Sequence, residues 1–129
     1  MAYLMARESG QSHWYAGLAQ DAAVMNLDDM ACVGAVGPFV FSNTIGRNAH
    51  RVDGEAIKQI IHGYIDFFES LKPYGVECVM TGGETADLGD LVQTVVVDAT
   101  AMTVLSERDV LFMRMQPGDV IVGFSSTGK

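Results

Sequence analysis

Between Asp53 and Leu71 the apolar residues Ile57, Ile60, Ile61, Tyr64, Ile65, Phe68 and Leu71 recur at i, i+3, i+4 and i+7. That spacing belongs to one face of an α-helix. Asp53 stands where an N-cap belongs, and Pro73 and Gly75 stop the run. So continuous a stripe must be covered, and the flanking segments supply the cover. Phe39-Val40-Phe41 starts a strand toward Ile45, and a loop, Gly46-Arg47-Asn48-Ala49-His50, follows it. Val76 to Thr81 reads as a strand closed by Gly82-Gly83, and Thr94 to Leu105 as a longer strand around Val95-Val96-Val97.

Upstream, about Tyr15 to Val33 reads as a helix that is apolar almost all round (Leu18, Ala22, Val24, Met25, Leu27, Met30) and therefore buried on most sides. Gly34 and Gly37-Pro38 end it. Tyr3 to Arg7 looks like a helix already under way with no cap before it. Asp109 to Met115 fits a short helix or an irregular segment. Pro117-Gly118-Asp119 is a turn into a last strand, Val120 to Phe124. The order α, α, β, α, β, β, β predicts an α/β (α+β) domain with a mixed or antiparallel sheet and helices on one face. Its 129 residues make one domain, and both ends read as though cut from something longer.

Composition narrows the function. Hydrophobic residues make up 49% and charged residues 19%, with 16 acids against 8 Lys and Arg and a net charge of −8. Nucleic-acid polymers and anionic membrane surfaces are unfavourable partners for such a chain, because both require clustered cations. No apolar run approaches a bilayer span of about 20 residues. The N-terminus carries no charged-then-apolar signal, which points to an intracellular, cytoplasmic protein. Cys32 and Cys78 lie in apolar stretches with no CxxC or Cys/His pairing. They read as reduced, buried thiols, a disulfide being the alternative.

Three features carry chemistry. Asp21, Asp28 and Asp29 interrupt the first long helix, with Asp21 and Asp28 two turns apart on one face. Carboxylates in an apolar setting repel unless neutralised, and Mg2+ bridging to phosphate oxygens is one remedy, a solvated stripe being the other. Thr81-Gly82-Gly83-Glu84-Thr85 follows a strand; paired glycines turn sharply and let a ligand approach the amide N–H groups, while a plain polar turn is the bland reading. Gly123 to Lys129 matches GxxxxGK, but a P-loop needs a Ser or Thr and a helix after the Lys, and it is read as a decoy. Asp98 and Thr100 share a strand face with Val96 and Met102, as a polar patch for a site or an interface. His13, His50 and His62 are scattered and offer no nucleophilic triad.

Taken together, Asp21-Ala22-Ala23-Val24-Met25-Asn26-Leu27-Asp28-Asp29, Gly34-Ala35, Gly82-Gly83-Glu84-Thr85-Ala86-Asp87 and Pro117-Gly118-Asp119-Val120-Ile121-Val122-Gly123 resemble, in order and spacing, the N-terminal domain of the aminoimidazole ribonucleotide synthetase (phosphoribosylformylglycinamidine cyclo-ligase) family. The likeness runs from about Leu18 to Gly128. It implies the partial N-terminal ATP-binding domain of a longer two-domain enzyme. That enzyme closes formylglycinamidine ribonucleotide to aminoimidazole ribonucleotide with release of ADP and phosphate. ATP and a ribonucleotide substrate are the implied ligands, Mg2+ and K+ the implied ions, and a homodimer pairing its sheets the implied assembly. By the same resemblance Gly82, Gly83, Glu84 and Thr85 sit at the nucleotide phosphates with Asp21 nearby, and Asp29 and Asp28 hold the metal.

The chain departs from the family pattern in several places. Asp28 stands where many members have Asn. Asp87-Leu88-Gly89-Asp90 replaces an acid-Met-Pro-Gly run, and Ser42 to Asn48 replaces "LDYyA.G". The family's GTDGvGTK segment would precede Met1. The alternatives are another ATP enzyme of the same superfamily (a selenophosphate synthetase, a thiamine-phosphate kinase or a formylglycinamidine synthetase) or a non-catalytic dimerisation module.

Overall fold

A computed structural model describes residues 1–126. Helix α1 spans Ala2–Ser9, and a 3-10 turn at Ser12–Tyr15 leads into α2, Gly17–Cys32. Strand β1 is Phe39–Arg47, α3 is Gly54–Leu71, and a second 3-10 turn covers Lys72–Tyr74. Strands β2, Cys78–Asp87, and β3, Val95–Met102, complete the order. The sheet runs β2-β1-β3, with β1 parallel to β2 and antiparallel to β3. The mixed α/β class is the one expected.

Helix α3 forms as its pattern dictates. The Asp53 carboxylate accepts from the Ala56 N–H at 3.0 Å, satisfying one of the orphan donors of the first turn. Its stripe buries Ala56, Ile60, Tyr64 and Phe68 against Phe39, Phe41 and Ile45 of β1. Alternate residues of β3 (Val95, Val97, Ala99, Ala101) join the same core, whereas Val96, Asp98, Thr100 and Met102 are exposed. The helices therefore cover one face of the sheet and leave the other bare. Gly63 marks the tightest helix contact: a Cβ there would overlap the backbone carbonyl of Ala16.

Several expectations are corrected. Helix α2 is not buried on most sides: only Ala19, Ala22 and Ala23 are, while Met25 is 75% exposed. Small residues let α2 sit close to α3 and β3 along one narrow stripe, and its remaining faces meet water. Val120 to Phe124 is no strand among the described residues, since it pairs with nothing, and Ile121 is fully exposed. Of the two readings of Asp109 to Met115, the irregular segment is the one the structure shows. Cys32 is exposed and Cys78 half-buried, both as free thiols, and burial pushes the Cys78 thiol up. Thr127-Gly128-Lys129 of the P-loop-like run lies outside the described residues. No helix among the described residues is long and apolar enough to cross a membrane.

Candidate functional site

The glycine run is not the loop that the sequence suggests. Strand β2 continues straight through it to Asp87, because β1 offers a partner along its whole length. The register slips by one residue at Thr81: Phe41 faces Met80, and Ser42 faces Gly82. Such a bulge leaves one residue unpaired, and the Thr81 hydroxyl uses the gap to donate to the Phe41 carbonyl at 2.9 Å. Gly82 then takes φ +126°, a conformation that side-chain-bearing residues rarely adopt. Gly83 is required for a different reason. It sits opposite Asn43, and a Cβ on it would overlap both the Asn43 carbonyl and its side-chain amide.

Beyond the bulge, side chains alternate between faces. Gly83 and Thr85, level with Asn43 and Ile45, face the helices; Glu84, level with Thr44 and Asp98, faces the bare side. The run thus serves both faces. On the helix side a cavity of about 290 Å3 opens between β2 and α3, lined by Asn43, Gly82, Gly83 and Thr85 above apolar walls from Ile61, Tyr64, Ile65, Phe68 and Met80. Tyr64 is buried, and its hydroxyl finds no hydrogen-bond partner. Desolvation, then the Asp98 carboxylate, pushes that phenol up to about 12, so it stays neutral. Sequence reasoning missed Asn43, because its place opposite Gly83 depends on a strand register that only the folded sheet reveals.

The acids are placed differently. Asp21, Asp28 and Asp29 all lie exposed on α2 rather than in a buried cluster. No charged side chain is buried among the described residues. Asp28 borders a separate groove of about 310 Å3 with Val24, Leu27, Phe67 and Leu71. The two cavities use different flanks of α3, so acids and glycines share no cavity. Among the described residues no group of three or more His, Cys, Asp or Glu could hold a metal ion. The acids do not fit a resident metal centre. A cation arriving with a nucleotide needs only one or two carboxylates and completes its shell with phosphate and water.

Comparison with known proteins adds what geometry alone does not. Residues 4–105 match the family model described as AIR synthase related protein, N-terminal domain. Among curated proteins, the phosphoribosylformylglycinamidine cyclo-ligase of Macrococcus caseolyticus is 33% identical over 111 residues. Proteins of the same name from Thermococcus kodakarensis and Pyrococcus furiosus are 30% and 32% identical over 109 and 111 residues. Each match covers 84% of this chain and 30% of the relative, so the chain spans about a third of the length of these proteins. A domain-wide match of this extent, with the glycine run built into β2, means that the chain belongs to the AIR synthase related family through its N-terminal domain.

Proposed function

We infer that this chain is the nucleotide-binding part of an ATP-dependent cyclo-ligase of de novo purine biosynthesis, cytoplasmic and acting on formylglycinamidine ribonucleotide. One observation carries the reading: in a chain 33% identical to a named cyclo-ligase, both glycines of the Gly82-Gly83-Glu84-Thr85 run are required beside a formed cavity, Gly82 by its φ of +126° and Gly83 by the closeness of Asn43. A backbone without side chains leaves its surroundings open to a bulky anion. In this reading Gly82, Gly83 and Thr85 approach the nucleotide with Asp21 nearby, Glu84 acts from the bare face, and Asp29 and Asp28 take the Mg2+ that accompanies ATP, with K+ as a second ion. When bound, Mg2+–ATP would supply phosphoryl activation of the formyl oxygen. The chain's own part is to position and to neutralise charge.

The bare sheet face, with Val40, Val79, Val96 and Met102 between 37% and 63% exposed, supports a homodimer that pairs its sheets. A longer two-domain protein would carry the remainder of the site, and the chain alone would be inactive. Exposure of all three acids favours a second reading, a dimerisation module with solvated carboxylates. One substitution separates the two. In the full-length protein, Asp29→Asn is expected to weaken Mg2+–ATP binding at least about tenfold, roughly 1.4 kcal/mol, by isothermal titration calorimetry. Affinity unchanged within about twofold would remove Asp29 from the metal site.

A further inference from the structure

The bare face of the sheet carries its residues in four rows of three, each row crossing β2, β1 and β3. Val79, Val40 and Met102 make an apolar first row. Gly82, Ser42 and Thr100 make the second, which offers two hydroxyls. Glu84, Thr44 and Asp98 make the third, with two carboxylates. Ala86, Gly46 and Val96 close the face with small and apolar groups, and Leu88 folds against Gly46 there. No Lys or Arg stands in any row, and Glu84 and Asp98 enter no ion pair among the described residues. One Asp98 oxygen accepts from the Ala99 N–H at 2.8 Å. The hydroxyls of Thr81 and Thr103 are used inside the chain, on the Phe41 and Pro38 carbonyls at 2.9 and 2.7 Å. Ser42, Thr44 and Thr100 are exposed, and their hydroxyls have no such partner among the described residues.

This order is self-complementary in one direction only. Two copies stacked face to face are related by a two-fold axis lying between the sheets. With the axis along the strands, each row meets itself. The third row then gathers four carboxylates without a cation, and desolvation makes that costly. With the axis across the strands, β1 runs antiparallel to β1 of the second copy, and the order of the rows reverses. The first row meets the fourth, apolar on apolar, with Met102 over Val96 and Val79 over the smaller Ala86. The second row meets the third. Thr100 lies over the partner's Asp98, a hydroxyl facing a carboxylate, and Gly82, which has no side chain, leaves room for the partner's Glu84. Stacked sheets cross at about −30°, and the middle rows, nearest the axis, are displaced least by that angle.

We propose that two copies of this chain stack bare face on bare face with their β1 strands antiparallel, the Thr100 hydroxyl of each donating to the partner's Asp98. The inference rests on the homodimer reading above and adds its register. Four rows of three are few for an interface, so dissociation constants of about 0.1–1 mM are expected. Cross-linking reads the register, in a background carrying Cys32→Ser and Cys78→Ala. A bismaleimide spanning the roughly 10 Å between stacked sheets should join a Met102→Cys chain to a Val96→Cys chain. It should not join two Val40→Cys chains, whose substituted positions lie about 20 Å apart along the strands in this register and face each other in the parallel one. Linking of Val40→Cys to itself, with none between Met102→Cys and Val96→Cys, overturns the register and leaves the homodimer standing. Thr100→Val keeps the shape and removes two hydrogen bonds to carboxylates per dimer, so by sedimentation equilibrium it should weaken association about tenfold or more. Association unchanged or tightened in Thr100→Val also overturns the register alone. A monomeric chain at about 1 mM overturns the register and the homodimer reading together.

Discussion

Replacing Phe41 with alanine is expected to destabilise the chain by about 3–5 kcal/mol, lowering the melting temperature by on the order of 10–20 °C. Phe41 is fully buried at the centre of β1, with β2 on one side and β3 on the other. Its ring stacks obliquely on Phe68 of α3, centroids 4.9 Å apart, and Phe68 leans on Tyr64 at 5.8 Å. Removing it deletes the contact that joins sheet to helix. The void cannot close, because β1 is pinned to Met80 on one neighbour and Ala101 on the other, and cost rises with the cavity that remains. Val40→Ala is the control: the adjacent side chain points to the bare face, and its loss should stay below about 1 kcal/mol. Denaturant unfolding with equal slopes for all variants checks both numbers. A Phe41→Ala loss below about 1.5 kcal/mol would mean that the sheet and α3 do not share one core.

Gly83→Ala is expected to cost about 2–3 kcal/mol and to loosen β2 from Met80 to Asp87. The added methyl meets backbone, the Asn43 carbonyl, which cannot rotate away as a side-chain end could. Relief requires the two central strands to part where the bulge has already interrupted their ladder. Gly82 offers a useful contrast. A Cβ there meets open space, and the objection lies in φ +126° alone. Gly89→Ala is the near-neutral control, since its nearest neighbour would be at an ordinary 3.6 Å. Hydrogen exchange read alongside unfolding tests the point: faster exchange across Gly82–Thr85 in Gly83→Ala is the expected result. A wild-type rate and stability would place the glycine run outside the paired strand.

What the sequence disclosed was local. Helix α3 and its Asp53 cap follow from a period and a side chain that reach only a few residues. The alternation of β3 put Asp98 and Thr100 on one face with Val96 and Met102, and the fold shows that face to be the exposed one. What it hid was non-local. Gly82-Gly83 looks like the end of a strand because glycine weakens strands in isolation. Pairing with β1 across a bulge overrides that preference and brings Asn43 opposite Gly83, which no local pattern announces. The apolar count of α2 suggested burial, but it packs through alanines, and its acids meet solvent instead of one another. Val120 to Phe124 has the composition of a strand, and without a neighbour among the described residues to complete its hydrogen bonds it stays unpaired and exposed.

The glycine run of β2 as the seat of the nucleotide is open to one direct measurement. Hydrogen exchange of the full-length protein, with and without Mg2+–ATP, should show slowed exchange over residues 80–87 and over the turn of α2 that carries Asp28 and Asp29. Protection confined to other segments, or none at saturating Mg2+–ATP, would contradict the account.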